Sequence, residues 1–184
     1  MKYKLNISLT DEDYLEYNKF YSLRSPYGKK TLNSIRLLTA LIILLFIIMY
    51  ASFNAFSLNS LYYIIPLLAI LLIFEFFIPS FLMLAVKANI SRQRKTGQLG
   101  FTPFSVIEFH DEGIVEISEH MRLEQKYSAM DRIFVVDNKV IYIFTSHLGG
   151  YILPVSSFES NAQYAEFLEF IATKCPNISF CSSK

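Results

Sequence analysis

The stretch LLTALIILLFIIMYASFNAF, residues 37–56, decides the fold because it has twenty residues and no charged side chain. An α-helix of that length spans about 30 Å, the thickness of the hydrocarbon core of a bilayer. A second apolar run follows at residues 60–84, after the uncharged connector SFNAFSLNS. The two runs predict a transmembrane hairpin within residues 37–86. The alternative is a signal-anchor followed by a buried helix of a soluble domain.

Charged residues are unevenly distributed along the chain. Residues 1–95 have a formal net charge of +6 and residues 96–184 one of −5, whereas the whole chain has +1. Basic side chains flank the apolar runs, at Lys29, Lys30 and Arg36 before the first and at Lys87, Arg92, Arg94 and Lys95 after the second. Because Lys and Arg beside a span stay in the cytoplasm, we expect a multi-pass protein of the cytoplasmic membrane with both termini in the cytoplasm.

One carboxylate interrupts the second apolar run, in the stretch AILLIFEFFIP at residues 69–79. If the two helices fold back on each other at the centre of the connector, Glu75 comes level with Thr39, one helical turn from Arg36. We therefore expect Glu75 near the cytoplasmic interface, where it reaches water or pairs with Arg36. The alternative is that Glu75 is a functional acid that faces an internal partner. Under this alternative, Glu75 and Arg36 are the two candidate functional residues.

The segment before the first span, residues 1–36, is predicted to be cytoplasmic. KYKLNISL, residues 2–9, alternates apolar and polar side chains, which is typical of a strand. Helical spacing of aromatic residues then predicts an amphipathic helix from about Asp11 to Leu23. Since an unpaired strand exposes its backbone groups, we expect the first nine residues to pair with a sheet formed by the distal part of the chain. After the second span, the basic stretch at residues 87–100 is interpreted as a linker.

From Phe101 onwards the pattern changes to short alternating strands separated by turns. The predicted strands are residues 105–110, 113–118, 122–127, 133–137, 140–146 and 151–155. A capping box, Ser160 to Gln163, then starts a helix with apolar residues on one face. We expect residues 101–175 to form a β-rich domain whose C-terminal helix closes one end of a curved sheet. Residues 176–184 are interpreted as a tail.

This layout resembles the YcxB-like family of bacterial membrane proteins, which combines two adjacent spans with a strand-rich domain. The resemblance lies in YSAMDRIFVVDNKVIYIFTS (127–146), in YILPVSSF (151–158) and in the closing helix. The positions that match the family's strand, hairpin, strand, Ile-x-Pro and helix pattern are Ile133, the turn Asp137-Asn138-Lys139, Pro154 and Phe158. The family usually has an aromatic residue, often Trp, near Met130, and this chain has no Trp. The resemblance implies a pleckstrin-homology-like fold over residues 101–175 and a bacterial membrane, and it implies no catalytic residue.

No pattern in the sequence predicts an enzyme, a metal site or a cofactor site. His110, His120 and His147 lack metal-ligand spacing, and Cys175 and Cys181 lie six residues apart with no nearby His. Phosphate-loop and nucleophile-elbow motifs are absent from the sequence. Aromatic residues are not interleaved with basic ones, so we expect no nucleic-acid partner. The negative charge of the distal domain argues against a phosphoinositide headgroup.

The sequence therefore predicts an α+β membrane protein with a two-helix transmembrane hairpin and a cytoplasmic, β-rich, pleckstrin-homology-like domain. We expect the lipid bilayer and a protein as its partners and a non-catalytic interaction role, and oligomerisation stays open. Two alternatives remain. One is a protective, immunity-type or regulatory membrane protein, and the other is a component of a membrane enzyme or transporter that uses Glu75.

Overall fold

The computed structural model describes residues 1–53, 61–97, 101–119, 121–145 and 149–181. The chain divides into two compact units. Met1–Tyr17 and Leu99–Lys184 form the first, called here the sheet unit, and Asn18–Gln98 form the second, called the helical unit. The sheet unit is therefore assembled from both ends of the chain, and the helical unit is inserted between its two parts.

The sheet unit contains two four-stranded sheets. The first has the order β1-β2-β3-β4 and is antiparallel throughout. Its strands are β1 (Tyr3–Ser8), β2 (Phe104–Phe109), β3 (Gly113–Ile117) and β4 (Arg122–Lys126). The second has the order β7-β6-β5-β8, in which β8 runs parallel to β5. Its strands are β5 (Met130–Val136), β6 (Val140–Thr145), β7 (Gly150–Pro154) and β8 (Ile178–Cys181).

The N-terminal strand pairs with the distal part of the chain, as predicted from its alternating pattern. β1 lies antiparallel to β2, with Leu5 opposite Ile107 and Ile7 opposite Ser105. Leu5 is 1% exposed and Ile7 3% exposed. The prediction that the first nine residues join the distal sheet is confirmed, and the strand contributes to the core as well as to the hydrogen-bonded ladder.

One hydrophobic core connects the two sheets with the C-terminal helix α4 (Asn161–Lys174). Phe167 and Ile171 of α4 are fully buried. The Phe167 ring makes edge contacts with Tyr3 at 5.4 Å and Phe109 at 4.8 Å, measured between ring centroids. The expected closing helix is thus present. The single curved sheet that we expected is instead two sheets, because the short 3₁₀ turn Tyr127–Ala129 separates β4 from β5.

The predicted capping box is present at the start of α4, and a similar reciprocal pair of hydrogen bonds is present at the start of α1 (Asp11–Arg24). At α4, the Gln163 N–H donates to Ser160 Oγ at 3.1 Å, and the Glu159 N–H donates to Gln163 Oε1 at 2.8 Å. At α1, the Asp13 N–H donates to Thr10 Oγ1, and the Thr10 N–H donates to an Asp13 carboxylate oxygen. These bonds satisfy N–H groups that have no partner within the helix.

Turn chemistry determines the hairpin between β5 and β6. Asp137 and Asn138 have φ values of +50° and +52°. The Lys139 N–H donates to the Val136 carbonyl at 2.9 Å. Two consecutive residues with positive φ are typical of a type I′ turn, in which Asn and Asp are among the preferred residues.

The tail contains a strand that the sequence analysis did not predict. β8 extends the second sheet beside β5, with Ile133 opposite Ile178. The Asn177 side chain donates to the Asp131 carbonyl at 3.2 Å and lies directly before the strand. The interpretation of residues 176–184 as a simple tail is therefore wrong for residues 178–181.

Two long helices form the helical unit, α2 (Pro26–Phe53) and α3 (Leu61–Thr96). The Ser25 side chain accepts a hydrogen bond from the Gly28 N–H at 2.9 Å, and Pro26 occupies the first helical position, where its missing N–H costs nothing. The basic stretch that was interpreted as a linker is helical as far as Thr96, and Gly97 follows with a φ of +69°. Arg, Gln and Lys favour helices. The positive charge of this stretch was therefore not evidence for a linker without secondary structure.

Both helices are long and apolar enough to span a membrane, over Pro26–Tyr50 and Tyr62–Thr96. Only 6% of the most apolar 18-residue window of each helix is buried within the protein. Side chains such as Leu72 and Phe76 are 71% and 79% exposed. A core helix of a soluble domain would bury most of such a surface.

Candidate functional site

The two candidate residues predicted from the sequence, Arg36 and Glu75, lie in contact in the helical unit. Arg36 Nε is 3.3 Å from Glu75 Oε2, and the side chains are 45% and 26% exposed. The predicted pairing is confirmed. A second contact joins the same helices, with the Tyr50 and Tyr63 ring centroids 5.5 Å apart. The two contacts show that α2 and α3 run antiparallel beside each other.

The position of the ion pair along the helices follows from helix geometry. Arg36 lies seventeen residues before Phe53 and Glu75 fourteen residues after Leu61. At 1.5 Å per residue, the pair lies about 21–26 Å from the ends of the helices that face the connector. Two oppositely charged side chains in contact neutralise each other's charge. The geometry fits an ion pair between helices better than an isolated catalytic acid.

The remaining polar residues considered in the sequence do not form a metal site in the part of the chain that the structure describes. No group of three or more His, Cys, Asp or Glu side chains in that part could hold a metal ion. His110 lies beside Glu108, with Nε2 3.4 Å from Oε2. His120 and His147 lie outside the described residues. Cys175 is buried and Cys181 half-buried, and both are free thiols.

A cavity of about 180 Å³ lies within the sheet unit, between the first sheet and the start of β7. Its walls combine aliphatic side chains of β1 and β2, the backbone of the start of β7, and rings from α1 and from the segment before β2. The residues that matter for its chemistry are Tyr14, Tyr17, Phe101, Ser105, Glu116 and Tyr151. For comparison, a 150 Å³ cavity lined by apolar side chains admits a molecule of benzene size.

Glu116 places a carboxylate on the core face of the first sheet. It lies directly opposite Ile107 in the β2–β3 ladder, and Ile107 is 2% exposed. Directly opposed residues in a ladder project from the same face of the sheet. Glu116 therefore belongs to the inner face, whereas its neighbours in β3, Val115 and Ile117, belong to the outer face.

The surroundings of Glu116 disfavour its charged form. Burial raises the pKa of Glu116 above its ordinary value, and hydrogen bonding by the Ser105 and Thr102 hydroxyls lowers it to a smaller extent. Among the described residues, no Lys or Arg contributes to this pKa. Ser105 is 7% exposed, and its hydroxyl lies near the carboxylate.

Aromatic rings cover the cavity from the side of α1. The Tyr14 and Phe101 rings are stacked with their centroids 4.7 Å apart, and Tyr14 and Tyr17 are stacked at 6.4 Å. Tyr151 donates its hydroxyl hydrogen to Gln125 Oε1 at 3.0 Å. Burial, together with the charge of Glu116, raises the pKa of Tyr151 to about 12, so its hydroxyl is neutral at physiological pH.

Gly150 allows the close approach of these elements at the edge of the cavity. A Cβ atom at Gly150 would lie 2.5 Å from the Ile143 carbonyl oxygen and 2.8 Å from the Tyr17 hydroxyl. A Cβ at the adjacent Gly149 would meet nothing closer than Thr145 Oγ1 at 3.7 Å. Of the two glycines, only Gly150 is required for packing.

Sequence reasoning missed this cavity and its acid. In the stretch Gly113–Ile117, Ile114 and Glu116 share one face, and Val115 and Ile117 share the other. Both faces contain apolar residues, so the alternation does not show which one is buried. The pairing of β3 with β2, and through β2 with the N-terminal strand, determines which face of β3 is buried.

Residues 109–171 match the family model described as YcxB-like protein. This segment is similar to the domain that defines the YcxB-like family. The match begins at the last residue of β2 and ends within α4, so it covers less than half of the chain and leaves out β1 and β8. The resemblance predicted from the sequence is confirmed for the segment. No curated protein and no solved structure matches the chain significantly.

Proposed function

We propose that the protein is a multi-pass protein of the bacterial cytoplasmic membrane, in which α2 and α3 span the bilayer and the sheet unit acts in the cytoplasm as a non-catalytic interaction module. The observation that carries this proposal is the pairing of β1 with β2. Both span-length helices lie between these two strands in sequence. Because a folded domain lies on one side of a bilayer, the chain between its two parts crosses the bilayer an even number of times. Two crossings, one by α2 and one by α3, meet this condition.

The distribution of charge supports the cytoplasmic side. The helical unit contains nine basic residues and one acidic residue, a net charge of +8, whereas the sheet unit contains eight basic and fifteen acidic residues, a net charge of −7. The basic residues lie before the apolar part of α2 and after that of α3, as in cytoplasmic flanks. An acidic module repels anionic headgroups, which favours a protein as its partner.

The architecture of the sheet unit supports a pleckstrin-homology-like interaction fold. Two facing sheets share one core with a C-terminal helix, which is the arrangement that the YcxB-like resemblance implies. The Arg36–Glu75 ion pair supports a structural role for Glu75. We accordingly favour an interaction module over a transporter component.

Cysteine labelling in cells tests the topology. A Ser57→Cys variant places a thiol in the connector between α2 and α3, and the natural Cys181 serves as the internal reference in the same chain. We expect a membrane-impermeant maleimide to label the Ser57→Cys protein in intact cells, and the unmodified protein only after permeabilisation. Labelling of the unmodified protein in intact cells, or protection of residue 57 until the cells are permeabilised, would contradict the proposed topology.

Affinity capture from membranes tests the interaction role. The full chain is compared with a chain that ends at Gly100, after both are adjusted to equal abundance in the membrane. We expect a protein partner that the full chain retains and the shortened chain loses. If both chains capture the same proteins, the sheet unit is not the interaction module.

A further inference from the structure

The acid in the cavity of the sheet unit has no role in the proposed membrane topology. A carboxylate on the core face of a sheet is costly unless it is paired, because burial removes its hydration. Structural acids in such positions normally contact a Lys or Arg, and none contributes to the pKa of Glu116 among the described residues. The neighbouring Ser105 hydroxyl is buried and lies beside the carboxylate. A half-buried carboxylate and a buried hydroxyl thus line a space large enough for a small molecule.

We propose that this cavity binds a compact organic ammonium ion, whose positive charge pairs with Glu116 and whose alkyl groups contact the rings of Tyr14, Tyr17 and Phe101. Aromatic faces attract cations through the negative potential above the ring, and the combination of rings with a carboxylate is well suited to ammonium groups. Ser105 Oγ accepts a hydrogen bond from an N–H of the ligand when the ammonium carries one.

The negative charge of the sheet unit around the cavity favours a cation over an anion. Asp13 and Glu16 in the first turns of α1 act on Tyr142, whose ring centroid lies 5.4 Å from that of Tyr17. The sheet unit as a whole has a net charge of −7. An anionic ligand would meet repulsion from Glu116 and from these acids. A metal ion is disfavoured as well, because no set of three suitable ligands occurs among the described residues.

The size of the cavity limits the ligand. At about 180 Å³ it exceeds the 150 Å³ that accommodates benzene. Choline and ethanolamine are of suitable size, whereas a long polyamine is not. The same ammonium chemistry occurs in free amines and in the headgroup of phosphatidylethanolamine, so the test must separate these two sources.

The test is isothermal titration of the full chain in a non-ionic maltoside detergent with choline chloride and ethanolamine hydrochloride. The neutral control ligand is 3,3-dimethylbutan-1-ol, which has the shape of choline without its charge. We expect at least one ammonium ion to bind, and at least tenfold more tightly than the neutral alcohol. Absence of binding by both ammonium ions at 10 mM, or equal binding of choline and the alcohol, would overturn the proposal.

Three variants locate the binding site. Glu116→Gln is expected to weaken ammonium binding at least tenfold, since it removes the charge and keeps the shape. Ser105→Ala is expected to weaken binding of ethanolamine more than binding of choline, because choline has no N–H to donate to Ser105 Oγ. Glu124→Gln is the matched control, because it removes the same charge from the neighbouring strand β4, where the side chain is 67% exposed. Equal effects of Glu116→Gln and Glu124→Gln would refute the assignment of the site.

Nanodiscs distinguish the source of the ammonium group. The full chain is titrated with ethanolamine in discs of phosphatidylglycerol and in discs that contain phosphatidylethanolamine. Loss of binding only in the second kind of disc supports the lipid headgroup as the ligand, and equal binding in both supports a free amine. The titrations in detergent do not depend on membrane topology. Absence of ammonium binding would therefore refute the ligand site and leave the proposed topology, which cysteine labelling tests, unaffected.

Discussion

The structure predicts that the sheet unit cannot fold stably without the N-terminal strand. Leu5 and Ile7 are almost completely buried in the core. Full burial of such a side chain contributes about 1.5–3 kcal/mol, so removal of β1 costs about 3–6 kcal/mol before the loss of its backbone hydrogen bonds is counted. A typical domain is stable by only about 5–15 kcal/mol. We therefore expect a fragment that starts at residue 101 to be largely unfolded.

A soluble chimera makes this prediction measurable. Residues 1–17 are joined to residues 99–184 by a flexible Gly/Ser linker of ten residues, which replaces the helical unit. The rings of Tyr14 and Phe101 are stacked at 4.7 Å, and such a linker reaches about 16–19 Å, so it can connect the two parts. We expect cooperative urea unfolding of the chimera, followed by circular dichroism and tyrosine fluorescence, and no such transition for residues 101–184 alone.

Single substitutions in the chimera test the same reasoning quantitatively. Leu5→Ala is expected to lower the free energy of unfolding by about 2–5 kcal/mol, the range for large-to-small changes in a core. Asn6→Ala is the control, because Asn6 is exposed between two buried positions of the same strand, and it should change stability by less than about 0.5 kcal/mol. If residues 101–184 alone unfold cooperatively with the stability of the chimera, β1 is dispensable and the argument fails.

Three further predictions concern Gly150, Glu116 and Glu75. In the chimera, Gly150→Ala should lower the free energy of unfolding by about 1–3 kcal/mol, because the added Cβ would collide with backbone. The control, Gly149→Ala, should have little effect. Equal effects of the two substitutions on urea unfolding would refute the packing argument. Because burial raises the pKa of Glu116, the folded state binds its proton more tightly than the unfolded state does, so stability should fall as pH rises from the ordinary value of 4.5 through the raised pKa. Urea unfolding at several pH values should show this fall in the unchanged chimera and not in Glu116→Gln; the same slope in both would contradict it. Glu75→Gln in the full chain should leave the amount of protein in membranes nearly unchanged, as measured on immunoblots. If the variant inserts normally but a cellular phenotype is lost, Glu75 is instead a functional acid.

Local signals in the sequence predicted most of the elements of the sheet unit. The predicted strand 140–146 is observed at Val140–Thr145, because the turn residues before it determine where it starts. The predicted start of α4 at Ser160 is likewise correct, since capping is a local interaction. The prediction for β5 began three residues too late, because Met130–Arg132 contains two charged residues and a bulge in the pairing with β6.

Features that depend on distant pairing could not be predicted in the same way. β8 is only four residues long and forms a strand because it lies beside β5, while its own sequence carries a weak signal. The inward orientation of Glu116 depends on a ladder whose first strand comes from the other end of the chain. The Arg36–Glu75 contact could be predicted because a short connector between antiparallel helices determines which positions of the two helices lie level.

The insertion of a helical hairpin into the sheet unit has a consequence for folding. β1 ends at Ser8 and β2 begins at Phe104, so their pairing closes a loop of 95 residues. Closure of a flexible loop costs about (3/2)RT ln n plus a constant, so a flexible loop of 95 residues should cost about 1 kcal/mol more than the loop of about 24 residues that the chimera closes. The contact of α2 with α3 turns the chain back on itself and removes part of this cost before β1 meets β2. Replacement of the helical unit by a flexible linker of equal length should therefore lower the stability of the sheet unit by about 1 kcal/mol relative to the chimera with the ten-residue linker. Equal stabilities in urea would show that the length of the insertion does not matter, and that the hairpin contributes nothing to bringing the two strands together.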